Sequence, residues 1–516
     1  MHTLEKEKRL KDSVLWELQN KAYTQFGPEA WADKGVPFYL TSNPLIAYQF
    51  SEVILGYIRD CLRTESPTPL NLSEPLYIFD LGAGSGRLGY LVLKHLLPLL
   101  ETALSEKISI CYVMTDIAES NISFWEKHPL LKNYIESGVL DFAYYRHTDQ
   151  EPIKLLKSGK TLTQATVANP IILICTYFFD TIPQDLFRAK EGRIEEGRIT
   201  ISVPEEEGID PSLIMKLEAS YDYVPIKNPE SYYSGRPELN ALLLEYLKLF
   251  DNTPFLFPIG GFETLQYFSQ LSQGRMLLLS GDQGVATEQQ IREWGEPKIS
   301  KHATFSIAVD YYCLAHYFRN QDGVGMLTSS PSTKFVVMAA ILGGGFETFP
   351  ASALAFREQI DKLEPVKYWE MTNFSPEQLA EMSLEEILSY VELGKWDPIN
   401  FHLFFDAIRK KVPKVSDDQK ACLCQAVQKI WENFYPVSPK EMGFVMNLGV
   451  LLFEMEKPEE ALLFFERALD LGGESADLFL NMARCYRALG DKTVAAKYFQ
   501  KGISFKVNLE KERGTW

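Results

Sequence analysis

The chain has 516 residues, 46% of them hydrophobic and 23% charged, which excludes disorder, collagen and coiled coil as whole-chain descriptions. Its 52 basic and 69 acidic residues leave a net charge of −17, which argues against a nucleic-acid surface, because that needs clustered Lys and Arg. A length of this size predicts more than one domain, at roughly 100–200 residues each.

Taken in chain order, the first stretch, MHTLEKEKRLKDSVLWELQ, mixes Glu and Asp with Lys and has no apolar core. Neither a secretory signal nor a transit peptide fits it, so a cytoplasmic protein is expected. The longest uncharged apolar run, Phe335 to Phe346, is too short to span a bilayer, and no membrane insertion is expected. The seven cysteines (61, 111, 175, 313, 422, 424 and 485) form no C-x-x-C, and the seven histidines are dispersed. No metal site or disulfide framework is expected from them.

From about residue 76 to 345, short apolar runs alternate with helical patterns, the signature of βαβ units and a parallel sheet. The runs are Leu76–Phe79, Ile108–Met114, Ile171–Cys175, Met276–Leu279 and Phe335–Ala340. Each is nearly continuous in apolar residues, as strands covered on both faces are. Between them, Arg193–Val203 reads as a small hairpin and Glu238–Phe250 as a helix. After Pro365 the strands stop. Ser375-Pro376-Glu377-Gln378, Ser383-Leu384-Glu385-Glu386 and Ser438-Pro439-Lys440-Glu441 are capping boxes, so the last third reads as helical.

That last third carries a repeat. Asn447, Leu448, Gly449, Leu452, Ala461, Phe465 and Ala468 recur as Asn481, Met482, Ala483, Tyr486, Ala495, Phe499 and Gly502. The offset is 34 residues throughout, the period of a tetratricopeptide helix pair. Small residues at 449/483 and 461/495 let the helices of one hairpin approach, and the large ones at 452/486 and 465/499 are expected to fill the groove between hairpins. Residues 376–435 read as degenerate helical hairpins on which the clear pair, about 441–508, stacks. The expected domains are therefore 1–375, α/β, and 376–516, all-α.

The strongest chemical signal is Asp80-Leu81-Gly82-Ala83-Gly84-Ser85-Gly86-Arg87-Leu88-Gly89, an apolar strand entering a glycine turn and then a helix with apolar residues at 88, 91, 92 and 96. Such a turn lets backbone amides approach a ligand with no Cβ in the way. Two registers compete. Asp80-x-Gly82-x-Gly84-x-Gly86 resembles the first motif of class I S-adenosylmethionine-dependent methyltransferases, where the strand-end acid helps hold the methionine portion. Gly84-x-Gly86-x-x-Gly89 satisfies the dinucleotide pattern of a nicotinamide oxidoreductase. Asp80 has an obvious role only in the first. The second strand ends in Asp116, with Ile117 next, placed for ribose hydroxyls in either reading, although its 30 residues from Gly86 exceed the usual spacing of about 20. Glu119 is the spare. The third strand is expected to end at Asp141-Phe142, an acid for the adenine amino group and a ring beside it. After the fourth strand, Thr176-Tyr177-Phe178-Phe179-Asp180-Thr181-Ile182-Pro183 lies where an acceptor would meet the cofactor.

Together these motifs resemble the MidA-like methyltransferases, relatives of a mitochondrial complex I assembly factor that methylates a protein arginine. Thr41-Ser42-Asn43-Pro44-Leu45-Ile46-Ala47-Tyr48-Gln49-Phe50-Ser51-Glu52 is similar to the family's segment ahead of the glycine turn. Phe178-Phe179-Asp180-Thr181-Ile182-Pro183, Asp282-Gln283-Gly284 and Val309-Asp310-Tyr311 resemble its later motifs, and the similarity covers roughly residues 35–345. The resemblance implies a Rossmann-like class I sheet with insertions, S-adenosyl-L-methionine as cofactor and a protein acceptor. The family's Asn-Glu is Thr176-Tyr177 here. That change leaves Asp180 as the main candidate for orienting and deprotonating an acceptor, with Tyr177 beside it and Asp310 more distant. The repeats are expected to recruit the protein substrate or its complex. Two alternatives stay open, a non-catalytic adaptor on a methyltransferase scaffold and a nicotinamide-dependent oxidoreductase.

Overall fold

The structure, a computed structural model, describes residues 2–32, 35–204 and 209–513, with side chains through residue 506. The chain divides into two compact units, Met1–Glu370 and Met371–Trp516.

In the first unit the elements relevant to the site are β1 (His2–Arg9), α1 (Val14–Phe26), α2 (Glu29–Ala32), α3 (Pro44–Leu62), β2 (Leu76–Leu81), α4 (Arg87–Ala103), β3 (Ile110–Asp116), α5 (Glu119–Lys127) and β4 (Leu140–Tyr144). They continue as β5 (Ile171–Thr176), β6 (Asp185–Lys190), β7 (Arg193–Val203), β8 (Glu218–Pro225), α6 (Pro237–Leu249), β9 (Thr253–Phe257) and α7 (Ile259–Leu271). Next come β10 (Met276–Asp282), α8 (Tyr311–Arg319), β11 (Val324–Leu327) and β12 (Val336–Leu342).

Seven strands form the main sheet, in the order β11-β12-β10-β5-β2-β3-β4. β2, β3, β4, β5 and β10 run parallel, while β12 is antiparallel to both β10 and β11. Five parallel strands joined through helices make this the Rossmann-like α/β sheet expected from the alternating runs. The apolar runs explain it. Every residue of β2, β3, β10 and β12 is buried, so these strands must lie inside, between helical layers. α4 turns its expected positions, Leu88, Leu91, Val92 and Leu96, to the core. α3 starts where Asn43 accepts a hydrogen bond from the Ile46 amide, with Pro44 at its first position.

Four strands between β5 and β10 join β1 in a second, five-stranded antiparallel sheet, β1-β7-β6-β9 with β8 also on β7. Here the expected hairpin at 193–203 is corrected, because β7 is one continuous strand of 11 residues. The segment's one glycine is Gly197. It lies mid-strand, where a Cβ would collide with the side chain of Leu186 on β6. Ile199, Ile201 and Val203 alternate inward beyond it and pack with Leu10, Leu15 and Leu18.

The second unit is helical: α9 (Pro376–Glu381), α10 (Leu384–Leu393), α11 (Pro398–Lys411), α12 (Asp417–Asn433), α13 (Met442–Glu454), α14 (Pro458–Gly472), α15 (Ala476–Ala488) and α16 (Lys492–Arg513). The capping boxes at Ser375, Ser383 and Ser438 form with both of their hydrogen bonds, and a fourth, at Ser416, was not noticed in the sequence. The small residue at 449 acts as expected. A Cβ there would meet the Phe465 ring at 2.7 Å, so α13 and α14 touch through it. The large residues behave differently from expectation. Phe465 is 1% exposed and packs within its own hairpin, whereas Phe499, one repeat later, is 54% exposed. Among the described residues no further hairpin follows to cover it.

Candidate functional site

A cavity of about 350 Å³ opens at the carboxyl ends of β2, β3, β4 and β5, where open parallel sheets gather ligands. Its floor is the glycine turn. Gly82, Gly84 and Gly86 all have positive φ (66°, 57° and 78°), a conformation that carries the backbone around the strand end without a Cβ penalty. Ala83 and Ser85 complete the turn, and residues 82 to 85 all line the cavity, whereas Gly86 lies behind them. Two tryptophans grip Gly84. Trp125 of α5 donates from Nε1 to the Gly84 carbonyl at 3.0 Å. From the other side, the Trp31 indole of α2 would stand 2.6 Å from a Cβ on Gly84, and it stacks on Tyr23 of α1 at 5.9 Å.

Three buried carboxylates face this space: Asp80, Asp116 and Asp180. Asp80 accepts from the Tyr112 hydroxyl at 3.0 Å. Burial first, and the field of Asp116 with it, pushes its carboxyl up to about 7, against the downward pull of that hydrogen bond. Asp116 is the most heavily tied. It accepts from the Gly84 amide (3.1 Å), the Ala118 amide (2.9 Å) and Asn121 Nδ2 (2.9 Å), so it fixes the glycine turn against β3. Burial raises its carboxyl above the ordinary range, and those three donors oppose the rise. Ile117 also lines the cavity. Glu119 lies in α5, away from it.

Asp141 and Phe142 are not among the lining residues. β4 continues to Tyr144, so Asp141 sits near its start and is not a strand-end acid. Its carboxylate accepts from the amides of Lys157 (2.8 Å) and Ser158 (2.9 Å) and so anchors a following loop, while Phe142 packs on Trp125. The end of β4 instead supplies Tyr145, Arg146, His147 and Thr148. Burial lowers His147 to about 4, and His302, which also lines the cavity, likewise, so both rings are neutral near pH 7.

At the end of β5, Tyr177 takes φ +47°, rare for a non-glycine residue, while its amide donates to the Gly281 carbonyl at 3.0 Å. Its ring meets Phe335 edge-on at 5.9 Å, and burial raises its hydroxyl. Asp180 follows, 3% exposed, on the cavity wall beside Asp282 of β10. Asp310 lies elsewhere. It caps α8, accepting from the Cys313 amide at 2.8 Å, and takes the Tyr246 hydroxyl at 2.9 Å.

Tyr23, Trp31, His147, His302 and the Asp180–Asp282 contact were not anticipated from the sequence. They come from segments far apart in the chain, and no spacing rule links them.

Residues 476–506 match the tetratricopeptide repeat family. No curated protein matches the chain. Two crystal structures from Burkholderia thailandensis, both from one superfamily, are similar to it at 9% identity, covering 66% of this chain and 97% of theirs. One, with a TM-score of 0.36, is described as an uncharacterized protein. The other, with a TM-score of 0.37, is described as a candidate methyl transferase bound to S-adenosyl-homocysteine.

Proposed function

We propose that this chain is an S-adenosylmethionine-dependent methyltransferase acting on a protein side chain, with its helical repeats recruiting the substrate or its complex. The observation that carries this reading is the glycine turn flanked by Asp80 and Asp116, two buried carboxylates on one cavity wall. Buried acids favour a cationic ligand. S-adenosylmethionine brings an ammonium and a sulfonium together with a ribose. A dinucleotide would bring its anionic pyrophosphate against Asp80, which disfavours the oxidoreductase reading.

The residues present fit the cofactor. Asp80 suits the ammonium end and the remaining lone pair of Asp116 a ribose hydroxyl, with the glycine turn between them. Ile117 and the Tyr145–Thr148 loop offer a surface for the adenine, in place of Asp141 and Phe142. When bound, the cofactor supplies an electrophilic methyl group. The protein's share is to position the acceptor, exclude water and take up a proton. Asp180, beside Tyr177, faces the cavity for the last of these roles. Arginine as the acceptor is what the family resemblance implies.

Isothermal titration tests this reading. S-adenosylmethionine is expected to bind wild type, NAD not to bind, and Asp80→Asn to lose most of the affinity. No heat with wild-type protein and S-adenosylmethionine would refute the proposal.

A further inference from the structure

Part of the cavity wall is a short hairpin, Ile299–Lys301 paired with Phe305–Ile307, and two buried glutamines seat it. Gln19 of α1 accepts from the Phe305 amide at 3.0 Å and donates to the same residue's carbonyl. Gln184 donates to the carbonyls of Ile307 (2.9 Å) and Ala308 (3.3 Å), and the hairpin lies against the turn that carries Asp180. His302 closes the hairpin. Its amide donates to the Thr304 carbonyl at 2.9 Å, and the Thr304 amide donates back to His302 Nδ1 at 3.3 Å. A backbone amide only donates, so Nδ1 must offer its lone pair, and in a neutral ring the proton then sits on Nε2. Burial keeps this ring neutral near pH 7. Nε2 has no hydrogen-bond partner among the described residues, and His302 lines the cavity. The hairpin therefore presents the cavity with a fixed N–H donor.

The turn beside it offers the opposite. Asp180 is 3% exposed, lines the cavity and has no hydrogen-bond partner for its Oδ1, and an ionised carboxylate only accepts. This pair sits close to the cofactor's floor, since the Phe178 ring of the same turn would stand 3.2 Å from a Cβ on Gly82. A donor and an acceptor on adjoining pieces of wall select the group between them. A guanidinium or an ammonium is all donors and would set N–H against His302 Nε2–H, with Lys334 on the same cavity adding a like charge. A carboxylate is all acceptors and would face Asp180. A carboxamide carries a carbonyl oxygen and an NH2 on one carbon and answers both.

We propose that the methyl acceptor is a side-chain carboxamide, of glutamine or asparagine, held with its carbonyl oxygen on His302 Nε2–H and its NH2 on Asp180. This rests on the methyltransferase reading and names its acceptor. It departs from the arginine that the family resemblance implies, and the change from the family's Glu to Tyr177 removes a second carboxylate that a guanidinium would use. In the step, the amide nitrogen bonds to the methyl carbon, and the C–S bond breaks with its electron pair left on sulfur. The N–H proton passes to the Asp180 carboxylate and then to water. As that proton leaves, charge moves onto the amide oxygen, where the His302 N–H stabilises it.

The test is NMR of the full-length protein, isotope-labelled at its histidine ring nitrogens, in the presence of S-adenosylhomocysteine. The His302 signal, identified by its loss in His302→Gln, is expected to show the proton on Nε2 at pH 7. The probes are the N-acetyl methylamides of glutamine, asparagine, arginine and glutamate. They share their backbone amides, so differences among them report the side chain. A carboxamide probe should shift Nε2 saturably and bind about tenfold or more tightly than the arginine and glutamate probes, each of which sets like group against like. The tighter of glutamine and asparagine names the residue. Calorimetry with the same probes should find that preference kept in His302→Gln, which retains an N–H donor, and lost in His302→Leu. A proton on Nδ1, no saturable shift with either carboxamide, arginine or glutamate bound as tightly, or equal preferences in the two His302 variants would each overturn the proposal. S-adenosylmethionine binding without the carboxamide preference would leave the methyltransferase reading standing. A carboxamide preference in a protein that binds no S-adenosylmethionine would instead bring down that reading, and methyl transfer to the amide with it.

Discussion

Replacing Asp80 by Asn separates what this residue costs the fold from what it offers a ligand. Its carboxyl titrates at about 7 in the folded chain, against 3.8 for an ordinary Asp, because it is buried at 2% exposure. A folded value above the unfolded one means that stability is complete below pH 3.8 and falls as pH rises towards 7. The difference of about three pH units corresponds to about 4 kcal/mol lost by pH 8. Asn keeps an acceptor for the Tyr112 hydroxyl, bonded at 3.0 Å, and carries no charge. Asp80→Asn is therefore expected to be the more stable protein at pH 8, by up to about 4 kcal/mol, with the gap shrinking to about 1 kcal/mol at pH 4.5. Urea unfolding followed by tryptophan emission at the two pH values reads the gap directly, alongside the loss of S-adenosylmethionine binding. A variant less stable than wild type at pH 8, or a gap independent of pH, would refute the reasoning. The expected pattern, gained stability with lost binding, is what a residue kept for function gives.

Other substitutions probe the parts around it. Asp116→Ala leaves the Gly84 and Ala118 amides and the Asn121 side chain without their acceptor, so urea unfolding should show a loss of about 3 kcal/mol or more. Binding would then fall through the loosened glycine turn as well as through the ribose, and Asp116→Asn, which keeps one oxygen, should fall between. Gly86→Ala places a Cβ 2.6 Å from Met114 Cε and 2.9 Å from the Trp125 ring at φ +78°, and should cost about 2–4 kcal/mol in the same assay. In the repeats, Phe465→Ala should cost about 3–5 kcal/mol. Phe499→Ala, at the same repeat position but 54% exposed, should stay within about 0.5 kcal/mol. Equal costs at the two positions would show that the open face of α16 is covered in solution.

Five of the seven strands of the main sheet were legible in the sequence because they are buried on both faces and read as unbroken apolar runs. β2, β3, β5, β10 and β12 all lie within two residues of the expected limits at their amino ends. The capping boxes were legible for a similar reason, since each is a local pattern with local hydrogen bonds. What failed was whatever distant chain decides. Arg193–Val203 was expected to be a hairpin, yet it is one strand in which Gly197 leaves space for Leu186 on the neighbouring strand. β1 escaped notice because it is an edge strand of alternating charge, HTLEKEKR, with little apolar signal. Asp141 was expected at a strand end, with the strand read as Gly138–Phe142, yet β4 carries on through Ala143 and Tyr144. Of the cavity, the glycine turn and its acids were visible as motif residues. The indole of Trp31 and the partner of Asp180 reach it only through the fold.

The antiparallel sheet sets an order of events during synthesis. Residues 2–9 are made well before β7, yet among the described strands β1 pairs only with β7, whose last residue is Val203. Arg9 finds its ion-pair partners in Asp185 (2.8 Å), 176 residues further on, and in Glu196 (2.9 Å). At a translation rate of roughly 5–20 residues per second, β1 must wait on the order of 10–35 s before those partners exist. Its dense charge keeps it soluble meanwhile. β1 thus joins its sheet only after β7 has been made, and the Arg9 ion pairs act as the clasp that holds that edge.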